Sequence, residues 1–208
     1  MYFKIAEIYA THKTLKNMKE AINNYLKAAE YENLPSLAML TKMYYFGEDV
    51  EKDYDKALYF GNRILDNIDK MKLENIIFNK EVQEDVLDDI KFAKAMASDI
   101  LFNMYYFGEG TKKDTEKAFI MAKNSADLGV EKAQYNLAQM YEKGIGTYKD
   151  YERAVFWYKK AIDNNYVEGE LYYRLGNLYD KGLGVKENKS KGKRLMRKAL
   201  DLGYAPIN

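Results

Sequence analysis

The 208-residue chain contains no cysteine, two prolines and one histidine, His12. Without cysteine there is no disulfide framework and no thiolate chemistry, and the natural setting is a reducing compartment, the cytoplasm. A single histidine excludes a histidine-ligated metal cluster and a triad built on a histidine base. Scarce proline leaves long helices uninterrupted. Neither sign of charge is in surplus: Lys+Arg number 33 against 32 Asp+Glu, a net charge of +1. Sequence-independent nucleic-acid affinity needs a concentrated excess of cations, so no nucleic-acid partner is expected. Long apolar runs are missing too. No segment approaches the roughly 18 apolar residues that span a bilayer, and MYFKIAEIYATHKTLK at the N-terminus lacks the apolar stretch of a cleaved signal peptide. No membrane partner, metal or cofactor is expected.

What the chain does have is 20 tyrosines and 13 glycines, placed in register. The pattern Tyr-x-x-Gly-x-(Gly/Asp)-x-x-x-(Asp/Asn)-x-x-x-(Ala/Gly) starts at Tyr44, Tyr105, Tyr141 and Tyr179. Its first glycines are Gly47, Gly108, Gly144 and Gly182. The acidic or amide residues are Asp53, Asp114, Asp150 and Asn188, and the small residues are Ala57, Ala118, Ala154 and Gly192. Each copy keeps the same 13-residue step from tyrosine to small residue. Self-similarity of this kind marks a solenoid of stacked units rather than a single-core domain.

The copy from Glu131 to Asn165 displays the physical parts. Ala133, Leu137, Met140 and Tyr141 form one helical stripe, and Gly144 supplies the left-handed residue that ends the helix. Asp150 is placed to cap a second helix carrying Ala154, Trp157, Tyr158 and Ala161 on one face. Trp157, aligned with Phe60, Met121 and Leu195, is expected to be buried between helices. The string AQYNLAQMYEKGIGTYKDYERAVFWYKKA resembles the Sel-like repeat (SLR), an α/α-repeat family related to tetratricopeptide repeats. The copies around MYYFGEGTKKDTEKAFIMAKNSADLG and ELYYRLGNLYDKGLGVKENKSKGKRLMRKALDLG are similar, the latter with Gly192 in place of alanine. The copy at MYYFGEDVEKDYDKALYF departs at Asp49, and YFKIAEIYATHKTLKNMKEAINNYLKAA lacks the glycine loop. The resemblance implies an all-α, right-handed superhelical α/α solenoid over residues 1–208. It has about five helix–loop–helix repeats, a degenerate first repeat at 1–35 and a C-terminal capping repeat at about 168–208.

One interval breaks the period. Tyr44 and Tyr105 lie 61 residues apart, whereas the next two intervals are 36 and 38. The surplus falls at about 67–91. Ile64, Ile68 and Met71 continue one helical stripe, and Val82, Val86, Ile90, Ala93 and Ala97 make another. This predicts either two lengthened helices meeting near Asn79 or a separate short helix. Ile76, Ile77 and Phe78 would form an apolar tip that contacts a partner or mediates self-association, unless it packs on a neighbouring repeat of this chain.

Enzyme signatures are scarce. The Gly-x-Gly turns follow helices and lack the Gly-Lys-Ser/Thr of a phosphate loop. The capping carboxylates recur once per repeat, as structural residues do, and no nucleophile stands beside a base. No catalytic residue is assigned. On the first helices, Lys42, Asn103, Gln139 and Asn177 are equivalent and polar in all four copies, with Tyr135, Asn136, Tyr173 and Arg174 one turn earlier. In the resembled family first helices line the concave surface, so these residues are candidates for binding a protein or peptide partner. The basic run Lys186, Lys189, Lys191, Lys193, Arg194, Arg197 and Lys198 suits either a solvated end cap or an acidic partner. The expected function is a non-catalytic scaffold or adaptor. The alternatives are an inhibitor or immunity-type protein occluding an enzyme and, by resemblance to cysteine-rich β-lactamase-like members, a penicillin-binding enzyme. The absence of cysteine speaks against the last.

Overall fold

The recurring loop has a fixed length because both of its ends are hydrogen-bonded. At the near end Gly47, Gly144 and Gly182 adopt left-handed backbone with φ of 74°, 71° and 64°, and their N–H groups donate to the carbonyls of Met43, Met140 and Leu178. Glycine takes this conformation without the clash a Cβ would bring. At the far end the side chains of Asp53, Asp114, Asp150 and Asn188 accept the backbone N–H of Lys56, Lys117, Arg153 and Lys191. All four expected caps are therefore in place. The cap residues Asp53, Asp150 and Asn188 also donate their own N–H to the carbonyls of Tyr44, Tyr141 and Tyr179 at 2.8–2.9 Å. That bond ties tyrosine to cap and permits no insertion between them.

The computed structural model describes residues 1–11, 15–73 and 84–206. Among them are ten α-helices and no strand, divided between two compact units. Met1–Lys113 holds α1 (Tyr2–Thr11), α2 (Leu15–Glu30), α3 (Leu34–Phe46), α4 (Tyr54–Leu73) and α5 (Glu84–Asn103). Asp114–Asn208 holds α6 (Thr115–Asp127), α7 (Glu131–Lys143), α8 (Tyr151–Asp163), α9 (Gly169–Lys181) and α10 (Lys189–Asp201). A wider, π-helical turn at Met104–Gly108 follows α5. It is closed by the Glu109 N–H on the Met104 carbonyl, the same five-residue bond that Glu48, Ile145 and Leu183 make elsewhere.

In the first unit α3 is the central element. Asn33 caps it through the Ser36 N–H, Pro35 lies in its first turn, and ten of its 13 residues are buried. A helix apolar all round must be covered on all sides, and α2, α4 and α5 pack on it. Helices α4 and α5 each run 20 residues, against 13 for each of α6–α10. Ile64 and Ile68 continue the buried stripe of α4, and Ile90, Ala93 and Ala97 that of α5, whereas Val86 is exposed. The proposed tip, Ile76, Ile77 and Phe78, lies outside the described residues, as do Asn79 and His12.

In the second unit the small residues set the helix spacing. Ala118 and Ala154 are fully buried. At the equivalent site in the last repeat, a Cβ added to Gly192 would sit 2.8 Å from the Gly176 carbonyl oxygen, and one on Gly176 would meet the Gly192 carbonyl at 2.9 Å. Helices α9 and α10 approach too closely for alanine, which explains the departure at Gly192. The burial of Trp157 is not as expected. Phe60 and Met121 are buried, but Trp157 is only half-buried and rests edge-on against Phe156. The next residue, Tyr158, is the one fully enclosed. A one-residue step turns the helix by about 100°, and Tyr158 takes the inner position because its hydroxyl finds a partner there.

Candidate partner-binding surfaces

That partner is Glu142. The Tyr158 hydroxyl donates to Oε2 of Glu142, on which Arg174 Nη1 also rests at 3.3 Å. Nε and Nη2 of Arg174 reach Oε1 of Glu170 at 2.9 and 2.6 Å, and the Tyr135 hydroxyl donates to Oε2 of Glu170 at 2.7 Å. The result is a continuous network, Tyr135–Glu170–Arg174–Glu142–Tyr158, linking α7, α8 and α9. Burial first, and then the Glu142 carboxylate, pushes the Tyr158 phenol far above its ordinary range. Tyr135 is raised by burial and by Glu170. Burial works against the charge of Glu170, but the Tyr135 hydroxyl and the Arg174 guanidinium hold its carboxyl below the usual value. Burial likewise opposes the charge on Arg174, and the carboxylates outweigh it.

Of the residues expected on an open recognition face, Tyr135 therefore lies inside the unit, and Arg174 is held in this network while remaining partly exposed. Tyr135 is buried, stacked on Tyr166 with centroids 5.1 Å apart, and Arg174 keeps 21% of its side-chain surface. Tyr135 reaches Glu170, and Arg174 reaches Glu142, on other helices, so spacing along one helix could show only the Arg174–Glu170 pair. The signal available was Glu170, one repeat length beyond Tyr135. The residues left at the surface are Asn136, Gln139, Tyr173 and Asn177, each partly exposed. Gln139 accepts from Lys143 of its own helix at 3.1 Å, and the Asn177 amide donates to the Tyr173 carbonyl at 3.2 Å. Tyr173 leans on Tyr204 with centroids 5.4 Å apart. Beside them a cleft of about 350 Å³ opens, lined by Glu142, Lys143, Lys149, Tyr151, Asn177, Leu178, Lys181 and Leu183.

In the first unit the equivalent polar residues Lys42 and Asn103 are also partly exposed, and Lys42 pairs with Glu48 at 3.0 Å. The neighbouring positions are aromatic. The Tyr45 hydroxyl donates to Glu109 at 2.5 Å, and Phe46 and Phe107 stand in solvent, 53% and 63% exposed. Burial and the Glu109 carboxylate keep Tyr45 protonated well above the ordinary phenol range. Sequence reasoning missed a second feature, an apolar groove of about 530 Å³ in which Tyr2, Phe3, Tyr31, Met71, Val86 and Ile90 take part. It brings together α1, the α2–α3 turn and the long helices α4 and α5, a combination that no local pattern announces. At its edge Arg63 reaches the Ala29 carbonyl at 2.8 Å and Glu32 at 2.7 Å, and Asn67 also bonds to Glu32, locking α4 to that turn.

With this geometry in hand, the comparisons with known proteins agree. The Sel1 repeat family matches residues 3–30, 36–63, 95–130, 131–166 and 169–204, well over half of the sequence. The chain belongs to the Sel1 repeat family. The surplus residues fall in the one long interval between matched repeats, 64–94. A protective antigen of uropathogenic Escherichia coli with an SLR fold superposes with a TM-score of 0.70 at 24% identity over 97% of this chain. This chain spans only 38% of that antigen. A Sel1 repeat protein from Oxalobacter formigenes gives a TM-score of 0.63 at 22% identity, over 98% of this chain and 72% of its own. At such identities the likeness is one of fold. No curated protein matches the sequence. Sel1 repeats generally mediate protein–protein interaction, and no helix among the described residues is long and apolar enough to cross a membrane.

Proposed function

We propose that this protein is a non-catalytic interaction module, an adaptor or scaffold that holds a partner protein or peptide against the first helices of its repeats. The observation that carries this reading is the repeated polar position Lys42, Asn103, Gln139 and Asn177. Each is partly exposed, and the bonds found for three of them are local: Lys42 to Glu48, Gln139 to Lys143 and Asn177 to the Tyr173 carbonyl. Side chains that a fold does not use, presented once per repeat within each unit (Lys42 and Asn103 in the first, Gln139 and Asn177 near the ring of Tyr173 in the second), suit contact with an extended segment or a helix of another protein. Asn136 belongs to the same face. Membership of the Sel1 family supports the reading, and the lack of cysteine is consistent with the cytoplasm.

The test is affinity capture from the source lysate with the wild-type chain and a variant carrying Asn136→Ala, Gln139→Ala, Tyr173→Ala and Asn177→Ala. A protein retained by wild type and lost by the variant, with matching melting curves, supports the proposal. The same set retained by both removes the face. Turnover of a chromogenic β-lactam by the purified chain would remove the non-catalytic reading.

A further inference from the structure

Two residues after the motif tyrosine, the repeats carry different chemistry. The position holds Phe46 and Phe107 in the first unit and Lys143 and Lys181 in the second. All four are surface positions, so the fold accepts either type and does not require lysine. Lys143 and Lys181 line the 350 Å³ cleft of the second unit together with Lys149 and Asn177. Glu142 is the only carboxylate in that lining, and it is already held by Arg174 at 3.3 Å and by the Tyr158 hydroxyl. None of the three lysines makes an ion pair among the described residues. Lys143 donates to Gln139 at 3.1 Å, and Lys149 lies 5.8 Å from the centre of the Tyr151 ring. Burial, and then the charge of Arg174, disfavours the ammonium of Lys143, and an incoming anion would relieve that cost.

The charge balance of the whole chain hides this asymmetry. Residues 1–113 hold 16 Lys/Arg and 19 Asp/Glu, whereas residues 114–208 hold 17 and 13. We propose that the cleft between the loops following α7 and α9 receives the carboxylate side chains of an acidic segment of a partner protein. The inference rests on the protein-binding reading above and gives the partner a chemistry. The dimensions of the cleft suit one or two carboxylate side chains hydrogen-bonded by lysine ammoniums and the Asn177 amide, rather than a tracked phosphate backbone, which needs a longer cationic stripe.

Fluorescence anisotropy with a fluorescein-labelled peptide of glutamate–glycine repeats tests it. The wild-type chain should bind the peptide, more tightly at low ionic strength. Lys143→Glu combined with Lys181→Glu should weaken binding about tenfold or more. Lys143→Phe with Lys181→Phe, which copies the first unit, should do likewise with an unchanged melting curve. Lys193→Glu with Arg197→Glu on α10 should leave binding within about twofold of wild type, because those side chains lie outside the cleft. Equal loss in the α10 variant would assign the affinity to the basic run and overturn the cleft. So would a labelled single-stranded oligonucleotide that binds better than the peptide and displaces it, or no peptide binding by wild type. The captured partner separates this proposal from the previous one. A partner retained equally by wild type and both cleft variants overturns the cleft and leaves the protein-binding reading standing.

Discussion

Gly192→Ala sets two effects of opposite sign against each other. In a helix interior the change should stabilise by up to about 1 kcal/mol, because glycine loses more backbone freedom on folding. The new methyl would lie 2.8 Å from the Gly176 carbonyl oxygen and 3.1 Å from both N and Cβ of Asp180. A comfortable C···O contact is about 3.3–3.6 Å, so α10 must retreat from α9 by about half an ångström. The obstructing atoms are mainly backbone, which cannot swing aside as a long side chain would. Overpacking of this kind typically costs about 1–3 kcal/mol, so the clash outweighs the propensity and leaves a net loss of up to about 2 kcal/mol. For a chain of this size, each 1 kcal/mol lowers Tm by about 2–4 °C, which thermal unfolding followed by far-ultraviolet circular dichroism resolves. The opposite change at the equivalent site, Ala154→Gly, should also destabilise, there by lost packing and added chain entropy. A rise in Tm for Gly192→Ala would refute the reasoning, because it would mean that α9 and α10 have room to spare.

Other changes follow from the caps and the network. Asp150→Ala, which frees the Arg153 N–H, should cost about 0.5–2 kcal/mol, read by denaturant unfolding. Tyr158→Phe should cost about 1.5–3 kcal/mol, the range for a hydrogen bond to a charged group. Tyr158→Ala should cost more than Trp157→Ala, reversing the order that size alone suggests. The carboxyl of Glu170 is held below the ordinary glutamate range, so the stability it adds is complete above that range and is lost as pH falls through the folded value. Glu170→Gln should flatten the dependence of Tm on pH in that acidic window and leave the slope above pH 6 or so unchanged.

The repeat, its loops and its caps were legible because each depends on residues close together in the chain. Asp150, Tyr141 and Gly144 are bonded within one loop, and a fixed spacing records that fact. The network was not legible. Tyr135 and Glu170 lie 35 residues apart, and Tyr158 and Glu142 lie 16 apart. Such pairs become visible only when neighbouring repeats are stacked. The Trp157 error has the same origin: both aromatics of the Trp157–Tyr158 pair fit an inner stripe, and the choice was made by a carboxylate on another helix. The glycine at 192 was legible as a departure, but its cause, the Gly176 backbone opposite, was not. The apolar groove beside Met71 and Val86 required five helices to be assembled first.

The central claim is that a partner lies on the first-helix face of the repeats. Photo-crosslinking tests it directly, with p-benzoylphenylalanine placed at Tyr173 or Asn177 on that face and, as the contrast, at Ile120 or Phe156, which are about half exposed on second helices. The account predicts a covalent adduct with the same partner protein from Tyr173 and Asn177 and none from Ile120 and Phe156. Adducts from the second-helix positions alone would contradict it.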